Sequence, residues 1–162
     1  MWKGLGYVGM VALSVLAGSG CDSTEQQGAY EEQAFAVPSG ITQTDRYGEI
    51  ISEDQDDWRT APAYRSRVLI DPAFPNPSSA GIQVAIPVRV VEFRAVQGGL
   101  ELVSFDDNRI ARRLADVRDA RNPGAYVFKF NPVSLGVTGL VRVYIVDNLG
   151  ALVSYGDIQI EQ

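Results

Sequence analysis

Gly81-Ile82-Gln83-Val84-Ala85-Ile86-Pro87-Val88-Arg89-Val90-Val91-Glu92-Phe93-Arg94 is the stretch on which the fold turns. Ile82, Val84, Ile86, Val88 and Val90 recur at every second residue, with Gln83, Ala85, Pro87, Arg89 and Val91 between them. Period two places the first set on one face of a strand and the second on the other. An amphipathic helix would need spacings of three and four instead. Pro87 has no N–H to give to a ladder, so an interruption is expected there, splitting the run into two strands.

The same pattern extends in both directions. Upstream, Arg65 to Ile70 is a strand expectation, and Asp71 to Ser79, with three prolines, reads as an extended edge and turn. Downstream, Gln97-Gly98-Gly99 is a turn and Leu100 to Phe105 a strand. Ala125 to Phe130 alternates with Tyr126, Phe128 and Phe130 on one face. Leu140 to Val146 and Leu152 to Ile160 form a hairpin across Asp147-Asn148-Leu149-Gly150. The stretch Asn108 to Arg121 is ambiguous. Ile110, Leu114 and Val117 have helical spacing, for which Asp107 would be the N-cap, and propensity favours that reading. Ile110, Arg112 and Leu114 equally continue a strand after a turn at Asp106-Asp107-Asn108. About seven short strands with turns every ~8–12 residues predict an all-β sandwich, in which the aromatics are core and rim residues.

Motif order then suggests a family. Phe74-Pro75-Asn76-Pro77, followed by Ile82, Val84 and Ile86-Pro87, resembles the start of the immunoglobulin-like domain of flagellar hook-capping proteins and of type IX secretion sorting domains. Val103-Ser104-Phe105-Asp106 with Arg112-Arg113-Leu114-Ala115, then Gly124-Ala125-Tyr126-Val127-Phe128, then Gly139-Leu140-Val141-Arg142-Val143, are similar to their later strands in the same order. The resemblance implies an immunoglobulin-like antiparallel sandwich acting as an interaction module, with strand over most of 109–117. Asn108-Arg109 replaces the family's turn glycine, and the acidic C-terminal strand departs from the basic end of sorting domains.

The N-terminus is of another kind. Met1-Trp2-Lys3 is a charged start, Gly4 to Ala17 is uncharged and apolar, and Gly18-Ser19-Gly20 is small. This is the pattern of a secretory signal over residues 1–20, too short and too rich in glycine for a membrane span. Cys21 is the sole cysteine, and Leu16-Ala17-Gly18-Ser19-Gly20-Cys21 resembles a bacterial lipobox, which implies acylation of the Cys21 thiol. The implied location is the bacterial cell envelope, at the outer membrane or cell surface in preference to the inner membrane.

Between residues 22 and 60 lie ten carboxylates and two arginines, whereas 61–162 holds ten acids and eleven bases. High net charge and low hydrophobicity predict that residues 21–60 form a disordered acidic tether carrying a β-module at 61–162. Glu53-Asp54-Gln55-Asp56-Asp57 has some of the spacing of a calcium loop but lacks its turn glycine and closing acid, and reads as a solvated acidic face.

The chemistry is narrowed by what is missing. With no histidine and one cysteine there is no imidazole base, no Cys–His pair and no thiolate zinc set, and neither metal nor cofactor is expected. A formal charge of −6 disfavours nucleic acid. Arg109, Arg112, Arg113, Arg118 and Arg121 are the one dense basic cluster, a candidate site for an anionic partner, with Asp116 and Asp119 interleaved. The expected function is therefore non-enzymatic: a membrane-anchored module that binds a protein or polysaccharide of the envelope. The alternative is a carboxylate-dependent enzyme, carbohydrate-active for example, using Asp106 or Asp107 with Glu92 or Glu101 across ~5–10 Å.

Overall fold

The computed structural model describes residues 21–106, 108 and 110–161. One helix, α1 (Cys21–Ala34), precedes ten strands: β1 (Gln43–Thr44), β2 (Ile50–Ser52), β3 (Val68–Ile70), β4 (Ser78–Ser79), β5 (Val84–Val90), β6 (Leu100–Phe105), β7 (Ala111–Val117), β8 (Gly124–Phe130), β9 (Gly139–Asp147) and β10 (Leu152–Glu161). They form a five-stranded sheet ordered β4-β10-β9-β6-β7, a three-stranded sheet ordered β3-β5-β8, and a small β1-β2 ribbon. All pairings are antiparallel except β4 with β10. The fold is all-β. Ten strands stand where seven are expected, and β1, β2 and β4, of two or three residues each, are short additions.

The decisive stretch is one strand rather than two. Along β5, Val84, Ile86, Val88 and Val90 are buried, and they share one apolar core with Phe128 and Phe130 of β8 and with Leu100, Leu102, Val143, Ile145 and Ile158 of the larger sheet. Pro87 does not break β5. Its carbonyl accepts from Asp71 N, so its N–H side also faces β3. The missing donor ends the β3 ladder at Ile70 and leaves the β8 ladder intact.

Residues 111–117 are strand, against helical propensity. Their backbone pairs with β6, and Leu114, Ala115 and Val117 pack against the core. Pairing and burial outweigh a helix preference of a few tenths of a kcal/mol per residue.

The tether expectation is corrected. Residues 21–60 are packed onto the sheets, because β10 has a free edge and the large sheet has an uncovered outer face. Residues 58–61 run beside the first half of β10, with Trp58 N bonded to Tyr155 O and Ala61 N to Val153 O at 2.8 Å each. The Trp58 indole lies over Gly156, where any β-carbon would collide with it. Across the outer face lies α1, burying Tyr30 and Ala34. Its Tyr30 ring tilts against Tyr155 with centroids 5.4 Å apart. Among the described residues no helix is long and apolar enough to cross a membrane.

Candidate functional site

The strands place the loops at two ends. One end carries the turns before β6 and after β9, held together by Asn148 N donating to Gln97 O at 3.1 Å. The stretch between β7 and β8 lies there too, with Arg94 N bonded to Arg121 O. The start of α1 points to this end, since Ala63 N donates to Gln27 Oε1 and Tyr64 Oη donates to Asp147. Cys21 is the first residue of α1, and the signal expected over 1–20 lies outside the described residues.

The other end of α1 is held by a buried polar cluster. Arg142 meets Asp157 with two bonds, Nε to Oδ1 at 2.7 Å and Nη2 to Oδ2 at 2.6 Å. Its Nη1 donates to the carbonyls of Gln33, Ala34 and Ala36 at 3.1, 3.2 and 3.1 Å. A helix ends with carbonyls that lack intrahelical partners, and a cation there also suits the helix dipole. The guanidinium lies 4.7 Å from the Tyr155 ring centre. Beside it, Asp57 accepts from Thr42 N at 2.7 Å and Asp157 N at 2.9 Å. Asn76 donates to Thr42 O and Asp157 O and accepts from Gln159 N. Asp57 and Asn76 thereby satisfy the edge of β10 between residues 58–61 and β4. Burial pushes the Asp57 carboxyl up to about 7, against the pull of its two N–H donors.

The four described arginines of the cluster, Arg112, Arg113, Arg118 and Arg121, do not form one patch. Adjacent residues on a strand point to opposite faces. Arg113 pairs with Glu101 at 3.3 Å and Arg118 with Asp116 at 3.0 Å. With Arg121 and Asp119 they line a groove of mixed charge. Arg112 lies apart, its Nη1 reaching Leu135 O at the opposite end of the strands, and Arg109 lies outside the described residues. The structure thus corrects the reading of one anion-binding cluster.

Of the described carboxylates proposed for catalysis, Asp106 and Glu101 do not converge. The Asp106 carboxylate accepts from Asn108 N and Ile110 N, so it shapes its turn. Glu101 is five positions back on the same strand, roughly 16 Å away, and Asp107 lies outside the described residues. Among Asp54, Asp56 and Asp57, the third serves the β10 edge. No cluster of metal-ligating residues is found among the described residues.

The end opposite the start of α1 has a different surface. Its loops expose Ile110, Val133 and Val137, 64%, 62% and 51% accessible. A shallow groove there is lined by Ala80, Pro132, Val133, Gly136, Val137 and Thr138.

Sequence reading missed the polar cluster because its members are spread from Gln33 to Gln159. Two signals pointed to it. The near-continuous apolar run from Leu140 to Val146 marks a strand covered on both faces, and Trp58 is an aromatic inside an acidic segment. Comparison with family models, curated proteins and solved structures gives no match to this chain.

Proposed function

We propose that the chain is a non-enzymatic lipoprotein of the bacterial cell envelope, anchored through an acylated Cys21, and that its two sheets form an immunoglobulin-like sandwich serving as an interaction or scaffolding module. The observation that carries this reading is the placement of α1. It begins at Cys21, is docked along the sheet, and so leaves the loops around residues 110 and 131–138 farthest from the anchor. Those loops hold Ile110, Val133 and Val137 in solvent beside a groove, which suits a protein partner.

Two measurements test the reading separately. Cys21→Ser should release the protein from the membrane fraction and abolish acyl labelling; retention of the variant in the membrane overturns the anchor. A photo-crosslinking residue at position 133 should trap one defined envelope protein, and Val137→Asp should abolish that product without releasing the protein from the membrane. A crosslink unchanged by Val137→Asp rejects the groove as the site.

A further inference from the structure

A sheet edge carries a row of unpaired N–H and C=O groups and can accept a strand from another chain. Most edges here are short, covered or broken. β3 and the strands of the β1-β2 ribbon have two or three residues each. β10 is covered by residues 58–61 and by β4. β7 has a register break against β6 and carries Arg112, Arg113 and Asp116, devices that keep an edge single. β8 has neither. It is seven residues long, pairs with β5 in unbroken register, ends the three-stranded sheet, and has Lys129 as its one charge.

Its partner strand fixes which of its groups are free. Pro87 lies opposite Val127, and Ala85 opposite Lys129. Pro87 O accepts from Asp71 N, and Ala85 exchanges both of its bonds with Phe74, so both residues turn their polar groups away from β8. In an antiparallel ladder the residues opposite such positions turn away as well. Val127 and Lys129, and Ala125 by the same alternation, therefore aim their N–H and C=O at the open edge. Among the described residues none of these groups bonds to another segment. The three side chains lie on the outer face of the small sheet and are exposed, Val127 at 45%. Two of the three are apolar, where a face open to water is ordinarily polar.

We infer that β8 pairs antiparallel with β8 of a second copy of this chain, about a two-fold axis at Val127, joining two small sheets into one of six strands. This register sets Val127 opposite Val127 and Ala125 opposite the second copy's Lys129. Every outward N–H and C=O of the three residues then finds a partner. Moving the axis to Ala125 sets Val127 against Pro123, which has no N–H, and moving it to Lys129 opposes two ammonium groups. One strand pair is a small contact, so the dimer is weak and concentration-dependent. The axis also turns the second copy end for end, so the two starts of α1 lie at opposite ends of the pair. With the proposed anchor at Cys21, on which this step alone rests, the pair joins copies standing on facing membranes.

The test in solution is independent of the anchor. It uses the full chain with Cys21→Ser and one introduced cysteine, Ala125→Cys, Val127→Cys or Lys129→Cys, oxidised at high concentration. Position 127 faces itself with Cα atoms about 5.5 Å apart, within disulfide reach. Positions 125 and 129 each lie roughly 13 Å from their own copies. Val127→Cys should therefore give about ten-fold more linked dimer than either of the others alone, and mixing Ala125→Cys with Lys129→Cys should restore linking. Val127→Pro removes an outward N–H at an edge position and should leave a monomer in sedimentation at every concentration. If that variant unfolds, the cysteine series decides. Equal linking at all three positions, linking at 125 or 129 alone, or a monomer with no linked product overturns the pairing. Acylated wild-type protein should cluster vesicles, and Val127→Pro should not. A solution dimer whose acylated form clusters no vesicles rejects the facing arrangement and leaves the pairing standing, as does a chain that is not acylated.

Discussion

The two faces of the five-stranded sheet are held by different physics. On the inner face Leu102, Val143, Ile145 and Ile158 meet β5 and β8 in an apolar core. That attraction is non-directional, and several side chains of similar volume would serve at each position. On the outer face Arg142 spends its donors on Asp157 and on three carbonyls near the end of α1. Each of those bonds has a direction and a partner, and removing one member leaves the others buried and unpaired. The inner face supplies cohesion, and the outer face specifies which segment docks and where it stops.

The largest effect that separates them is expected from Arg142→Ala, which strands a buried carboxylate and the helix carbonyls and should cost about 3–5 kcal/mol. Limited proteolysis should then cut within residues 21–40 before the sheets unfold. Leu102→Ala should cost about 3 kcal/mol but leave the protease pattern unchanged, since the inner core unfolds as a whole. Identical cleavage patterns for the two variants would mean that the faces form one cooperative unit.

A smaller effect comes from pH. Asp57 has an ordinary carboxyl value of 3.8 when unfolded and about 7 in the folded chain, where burial disfavours its charge. Between these values the folded state holds the extra proton, so stability rises as pH falls from about 7 to about 4 and is lost as pH climbs through 7. The change should be about 1–3 kcal/mol. Urea midpoints from pH 4 to 8 should show it, and Asp57→Asn should flatten the slope. A slope unaltered in that variant would place the titrating group elsewhere. The smallest effect belongs to neither face. Arg113→Ala and Arg118→Ala remove pairs whose arginine side chains are 55% and 82% exposed, and each should change stability by less than about 1 kcal/mol.

Legibility in the sequence divides along the same line. The alternation of β5 and the β9–β10 hairpin could be read directly, because period two reports burial of one face against any apolar surface. Even Pro87 had a local explanation, once the side of the strand it faces was known. The outer layer could not be read that way. Its carboxylates counted toward net charge, but what decides their fate is Arg142 and the β10 edge, some 80–120 residues distant for Gln33, Asp57 and Asn76. The basic cluster failed for a geometric reason: closeness in sequence is not closeness in space on a strand, so Arg112 and Arg113 part company. The expectation at Cys21 rests on its neighbours in sequence alone, so stating it requires no fold.

The socket for α1 has a consequence in time. The helix is synthesised first, while Arg142, Tyr155 and Asp157 arrive near the end of the chain. Until then the segment that begins at Cys21 has nothing to dock against, and its contacts are among the longest-range in the molecule. Under the proposed acylation, chemistry at the Cys21 thiol falls in an interval when its segment is still loose, and docking afterwards closes that interval.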